Sequence, residues 1–281
     1  MLIRHDLRLV FLHVPKCAGK EIRDVLKTGA KQDTCIDRFN FEYSDILHRH
    51  VDLAHLALDD LAHYSDFKYL KGYTVIAAVR NPYQRIRSAA NEYYRQFSSS
   101  DEASLGRNGL TTSMLVTYAR QIPYRHAQRD PRFVHSLPLT WFTHLGGKPM
   151  VDHILRCETL LADFLHVANL LGLPSEIMNE GSRKLRDCPE DVSTSSHGLN
   201  EDLTLMANLL YGQDFSTFGY EMRQATINNA SCLKNSISLL EPQYTHSHSL
   251  DLINTAQRVE WHWGPSSQQR PASSLEPTRQ G

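Results

Sequence analysis

The stretch FLHVPKCAGKE, Phe11 to Glu21, is apolar until it breaks at Pro15 and Gly19, each followed by a lysine. Strand, tight turn and helix start in that order suggest a phosphate-binding loop, whose pattern is G-x-x-x-x-G-K-[ST]. Gly19 and Lys20 supply the Gly-Lys pair. Val14 stands where the first glycine belongs, and Glu21 where the Ser or Thr belongs. That hydroxyl ligates the magnesium bridging β- and γ-phosphates, and a carboxylate would face the anion instead. The helix N-terminus still offers free N–H groups and the positive end of its dipole. The loop therefore suits a phosphate-like group that needs a lysine but no metal.

Outward from this loop the chain alternates strands with helices. LRLVFLHV (Leu7 to Val14) reads as a buried strand, and KEIRDVLKTG as a helix with Ile22, Val25 and Leu26 on one face and Gly29 as its stop. YTVIAAV (Tyr73 to Val79) is a second buried strand, followed by a helix opening at Pro82. TSMLVTYARQI is a third helix, and MVDHIL (Met150 to Leu155) a third strand. ETLLADFLHVANLLG, ending at Gly172, and LNEDLTLMANLLYGQDF are further helices. This order predicts an α/β protein, a P-loop-like three-layer fold with a central parallel sheet flanked by helices. FSSSDEASLGRNG (Phe97 to Gly109) reads as an exposed loop, and so does Pro123 to His135. Residues 1–222 form the predicted domain. Residues 223–281, weakly periodic and ending in the low-complexity GPSSQQRPASSLEPTRQG, read as a C-terminal appendage ordered at most in part.

Composition narrows the function. The 281 residues are 41% hydrophobic and 22% charged, with a formal net charge of -1. That removes any general electrostatic case for nucleic acid. Five scattered cysteines without a C-x-x-C pair argue a reduced chain, and a cytoplasmic location is expected. The N-terminus lacks a small-residue cleavage site, and no apolar run is long enough to span a bilayer.

A second informative stretch is AAVRNPYQRIRSAANEYY, Ala77 to Tyr94. Arg80 sits at the carboxyl end of a strand, where open α/β sheets bind ligands, and Ser88 follows in the next helix. An arginine fork and a serine hydroxyl suit a phosphate. Two such strand ends would hold a ligand carrying two separated anionic groups.

These segments resemble the PAPS-dependent sulfotransferases of the carbohydrate (heparan and chondroitin) type. HVPKCAGK resembles that family's 5′-phosphosulfate loop and VRNPYQRIRSA its 3′-phosphate motif. HRHVDLAHL resembles a segment with a histidine ahead of the second motif. MVDHILRCETLLADF resembles its RxExL region, and LYGQDFSTFGY its closing motif. The resemblance runs from about Leu7 to Tyr220 in the family's order. It implies a donor, 3′-phosphoadenosine 5′-phosphosulfate (PAPS), with Lys16 supporting the leaving phosphate. Pro15, Lys16, Cys17, Ala18, Gly19 and Lys20 would wrap the 5′-phosphate, and Arg80 and Ser88 would bind the 3′-phosphate. His50 would take the acceptor's proton, with His48 as runner-up. The acceptor would be a hydroxyl, on a carbohydrate or another molecule. Lys20 and Glu21 replace the family's usual hydroxyls, and Glu21 is expected to turn outward or pair with Arg23. Arg156 and Glu158 are expected to pair with each other near the site, and Arg85 to be structural or a further phosphate contact. His48, His50 and His55 lack cysteine or carboxylate partners at metal-site spacing, so no metal is expected. A divergent P-loop kinase and a non-catalytic nucleotide-binding relative remain open alternatives.

Overall fold

Long apolar runs without polar interruption form the centre of the sheet. A computed structural model describes residues 1–97, 110–186 and 201–225. The Phe97–Gly109 loop and the appendage therefore lie almost wholly outside the described residues. The strands are β1 (Leu2–Arg4), β2 (Leu9–Leu12), β3 (Cys35–Asp37), β4 (Phe41–Ser44), β5 (Arg49–Asp52), β6 (Thr74–Val79), β7 (His144–Leu145), β8 (Lys148–Pro149) and β9 (His153–Arg156). A five-stranded sheet has the order β3-β1-β2-β6-β9. β2, β6 and β9 run parallel, with Leu12 opposite Ala77 and Val79 opposite Arg156.

The sheet is mixed, not wholly parallel. β1 pairs antiparallel with both β2 and β3. The cause is connection length: a short turn, in which Arg8 has a φ of 49°, joins β1 to β2 and can only make a hairpin. β4 and β5 form a separate antiparallel ribbon, with Tyr43 opposite His50.

The helices are α1 (Gly19–Leu26), α2 (Leu58–Leu61), α3 (Pro82–Phe97), α4 (Thr112–Ala127), α5 (Thr140–Thr143), α6 (Leu160–Leu170), α7 (Ser175–Lys184) and α8 (Glu201–Phe218). The Asn-Pro of the RNP stretch sets the start of α3. Pro82 needs no N–H at that position, and the Asn81 side chain accepts from Tyr83 N at 3.0 Å. α4 continues through Pro123 to Ala127, beyond the expected end, with Ile122 fully buried beside the proline. A 3-10 turn, Pro131–Ser136, follows, so the stretch expected as a loop is largely helical.

Two apolar clusters result. One joins the sheet to α1, α6 and α7 through residues such as Phe11, Ile22, Ile76, Phe164 and Ile177. The other joins α3, α4 and α8 through Ile86, Tyr118, Phe133, Ala207 and Phe215. No helix of the described residues is long and apolar enough to cross a membrane.

α6 and α7 meet where Gly181 faces the Phe164 ring, which occupies the space a Cβ would need. Gly181→Ala is therefore expected to lose roughly 1–3 kcal/mol through overpacking. Phe164→Leu in the same chain should restore part of it. Denaturant melts of the two single variants and the double variant test this coupling.

Candidate active site

His13 and Val14 lead from β2 into the turn Pro15–Ala18, which is wound tightly. Lys16 (φ 64°) and Ala18 (φ 54°) both lie in the left-handed region, which costs a residue with a Cβ. Gly19 then opens α1 against the His13 imidazole, and any Cβ at Gly19 would collide with that ring. So the glycine of the Gly-Lys pair serves close packing, and the αL positions fall on other residues.

Three side chains hold this turn. Arg80 donates through Nη1 to the Lys16 carbonyl at 3.4 Å. Arg85 is 1% exposed and donates to the carbonyls of Pro15 (3.1 Å), His135 (3.2 Å) and Leu137 (2.6 Å). Its expected structural role is what the fold displays. The Lys16 ammonium meets the Glu92 carboxylate of α3 at 3.2 Å. Burial raises the Glu92 carboxyl, but Arg95 and Lys16 more than offset it and hold it below its ordinary value.

The other predicted loop residues differ in exposure. Cys17 is buried, its thiol on the Pro15 carbonyl at 3.4 Å, whereas Lys20 is exposed on the first turn of α1. Glu21 is half-buried. The expected pairing with Arg23 does not form, because Asp37 on β3 takes that guanidinium in two bonds of 2.7 and 2.6 Å. Ser88 lies half-buried on α3, two turns beyond Asn81.

Arg156 and Glu158 also part company. Arg156 donates to the Phe218 carbonyl at 2.6 Å and sits 5.1 Å from the centre of the Tyr220 ring. Glu158 accepts from Asn81 N at 2.7 Å and from the Tyr220 hydroxyl at 3.0 Å. The strand ends after β6 and β9 and the segment after α8 thus share one carboxylate.

The histidines divide differently from expectation. His48 is exposed in the β4–β5 turn. His50, on β5, stacks on Phe41 with ring centres 5.7 Å apart. It lines a shallow cleft together with Asp52, His55, Arg49, Arg125 and Arg129. Sequence reasoning missed His13 and His135. His55 contacts both rings, at 4.4 and 5.2 Å between centres. Burial pushes His55 and His135 below their ordinary values, and the Lys16 charge adds to this in both. No local motif marks this group, because its members lie far apart in the chain.

The fold and site define an α/β protein that presents a lysine-bearing, arginine-braced loop at the carboxyl end of its central parallel strands. Residues 1–221 match the model of the Sulfotransferase family, and the chain belongs to that family. No curated protein and no solved structure matches it.

One half-buried histidine beside the cleft makes a clean test of protonation. His126 bonds the Ser136 hydroxyl at 3.0 Å, and that hydroxyl donates to the Phe133 carbonyl. His126 must therefore donate. Burial, then the charges of Arg85 and Arg129, push its pKa down to about 3. Its folded value lies below the unfolded one, near 6.5, so the unfolded chain binds more protons and stability falls as pH drops through 6.5. The contribution approaches roughly 1.4 kcal/mol per pH unit below that point. His126→Gln, which keeps a donor, should show a shallower loss of melting temperature between pH 7 and pH 5 than the parent chain.

Proposed function

We propose that the chain transfers a sulfuryl group from PAPS to an acceptor hydroxyl on a carbohydrate by in-line displacement. The observation that carries this reading is the joining of two distant stretches. β2 and β6 are parallel neighbours, and the guanidinium that follows β6 grips the backbone of the lysine that follows β2. A P-loop-like loop and a strand-end arginine next to each other suit a donor with a 5′-phosphosulfate and a 3′-phosphate.

In this reading Pro15, Lys16, Cys17, Ala18, Gly19 and Lys20 surround the 5′-phosphate. Lys16 steadies the negative charge that develops on the leaving phosphate. Arg80 and Ser88 take the 3′-phosphate, and His50 removes the acceptor proton. A sulfuryl group carries less charge than a γ-phosphoryl group, so a lysine can act without magnesium, which agrees with Glu21 in the hydroxyl's place. The cleft fits the acceptor half of the reaction. Arg49 pairs with Asp60 at 2.6 Å and Arg125 with Asp130 at 3.4 Å. Alternating donors and acceptors of this kind suit a hydroxyl-rich ligand. The catalytic unit in this proposal ends near residue 222.

Thermal-shift titration tests the donor half. 3′-phosphoadenosine 5′-phosphate should raise the melting temperature and AMP should not, and Arg80→Ala should abolish the rise. Stabilisation by Mg-ATP alone would mean a kinase. With PAPS and an acceptor panel, Lys16→Ala should cut sulfate transfer at least a hundredfold, and His50→Ala about a hundredfold or more. Binding without transfer to any acceptor would mean a non-catalytic relative.

Glu92 offers an independent check. A ligand phosphate must draw Lys16 away from this carboxylate. Glu92→Gln should therefore tighten binding of the bisphosphate by up to about fivefold, the scale of a partly exposed ion pair. Calorimetry on the two proteins measures the change.

A further inference from the structure

We propose that Asp52, His55 and His135 form a binding site for a divalent transition cation of the zinc class, next to the anion loop. Their ligand atoms, one carboxylate oxygen and two imidazole nitrogens, lie within 4.8 Å of one another. The expectation of no metal considered His48, His50 and His55, which are close in sequence. The fold leaves His48 and His50 out of the cluster and brings in a carboxylate and a histidine from the 3-10 turn Pro131–Ser136.

Two observations point to a cation. Asp52 is 5% exposed, and one of its oxygens accepts from Ala54 N at 2.9 Å. The other is buried without a hydrogen-bond partner, 3.9 Å from His55 Nε2. A buried carboxylate oxygen left unsatisfied is costly, and a cation would satisfy it. The second observation is the orientation of His55. Its Nδ1 faces the His13 carbonyl at 3.0 Å, and a carbonyl can only accept, so Nδ1 carries the proton. Nε2 is left as the lone pair that faces Asp52. An imidazole whose far nitrogen donates to a backbone carbonyl is the usual arrangement of a metal-binding histidine.

The ligand set selects the ion. Two imidazoles and one carboxylate favour Zn²⁺, Co²⁺ or Ni²⁺ over Mg²⁺ and Ca²⁺, which prefer oxygen throughout. A tetrahedral ion at about 2.0–2.2 Å from each atom holds its ligands about 3.3–3.6 Å apart, so the cluster would contract by roughly an ångström. Asp52 and His55 line the cleft, which leaves a fourth position for water or a ligand oxygen. The ion would join β5 to the turn whose His135 carbonyl Arg85 holds, and Arg85 also holds the Pro15 carbonyl. Bound there, it would brace the cleft wall against the frame of the anion loop without entering the transfer step.

The full chain, stripped with a chelator and dialysed, would be titrated with Co²⁺ and then with Zn²⁺. One equivalent of cobalt should produce visible d–d absorption, and zinc should remove it. Asp52→Asn, His55→Gln and His135→Gln should each weaken uptake at least about tenfold. His48→Gln, in the exposed turn, should leave it unchanged. Circular dichroism melts identify any variant that fails to fold, and the remaining variants then decide. No cobalt band from the parent chain at micromolar metal would overturn the proposal, and so would uptake that all three changes leave intact. An ion pair between protonated His55 and Asp52 would give the first of these results. None of these readouts uses PAPS, so a failure here is separate from a failure of the sulfotransfer reading.

Discussion

The arrangement of the site depends on one buried charge. Arg85 is almost fully enclosed, and a guanidinium removed from water is tolerable only if its donors are used. It spends them on three carbonyls, of Pro15, His135 and Leu137. That single side chain fastens α3 to the Pro15–Ala18 turn and to the segment entering α5. Asp214 on α8 completes the frame by accepting from Leu139 N at 2.8 Å and Thr140 N at 3.0 Å. Burial raises the Asp214 carboxyl, and the Arg85 charge opposes that rise. Arg80 and Arg85, five positions apart, hold consecutive carbonyls of the loop. The start of α3 is thus as much a part of this candidate site as the loop itself.

A second convergence explains why the recognisable segments extend over so much of the chain. Glu158 follows β9, Asn81 follows β6 and Tyr220 closes α8, yet one carboxylate joins all three. Arg156 adds a bond to the Phe218 carbonyl. Each segment supplies a polar group that would otherwise be left partly buried and unpaired, so the stretches depend on one another.

What could be read from sequence follows from how local its cause was. β2, β6 and α3 were legible because an apolar run and its punctuating Pro, Gly or Asn-Pro lie within a few residues. β1 and β3 were not, since three-residue strands such as Leu2–Arg4 and Cys35–Asp37 are strands only by virtue of their neighbours. Lys16 and Arg80 stood out through their positions at strand ends. Glu92 did not, because its importance comes from the folding of α3 past Lys16. His13 and His135 carry no pattern at all, and their contacts with His55 cross 42 and 80 positions of chain. The partners of Arg23 and Arg156 were misjudged for the same reason. Proximity in sequence suggested Glu21 and Glu158, whereas the fold offered Asp37 and the Phe218 carbonyl.

The left-handed backbone of Lys16 and Ala18 bears on the speed of recognition as well as its strength. A loop that took this shape only around its ligand would make each encounter wait for a rare conformation, and the observed rate of capture would fall by the fraction of time spent ready. Here Gly19 packed on His13, with Arg80 and Arg85 on successive carbonyls, holds the turn in its strained form by contacts within the protein. Folding has already met the strain, and in the proposed function an arriving anion would ask only that one lysine swing away from one glutamate. Capture then becomes a matter of diffusion and charge steering, and discrimination among ligands rests on how fast each one leaves.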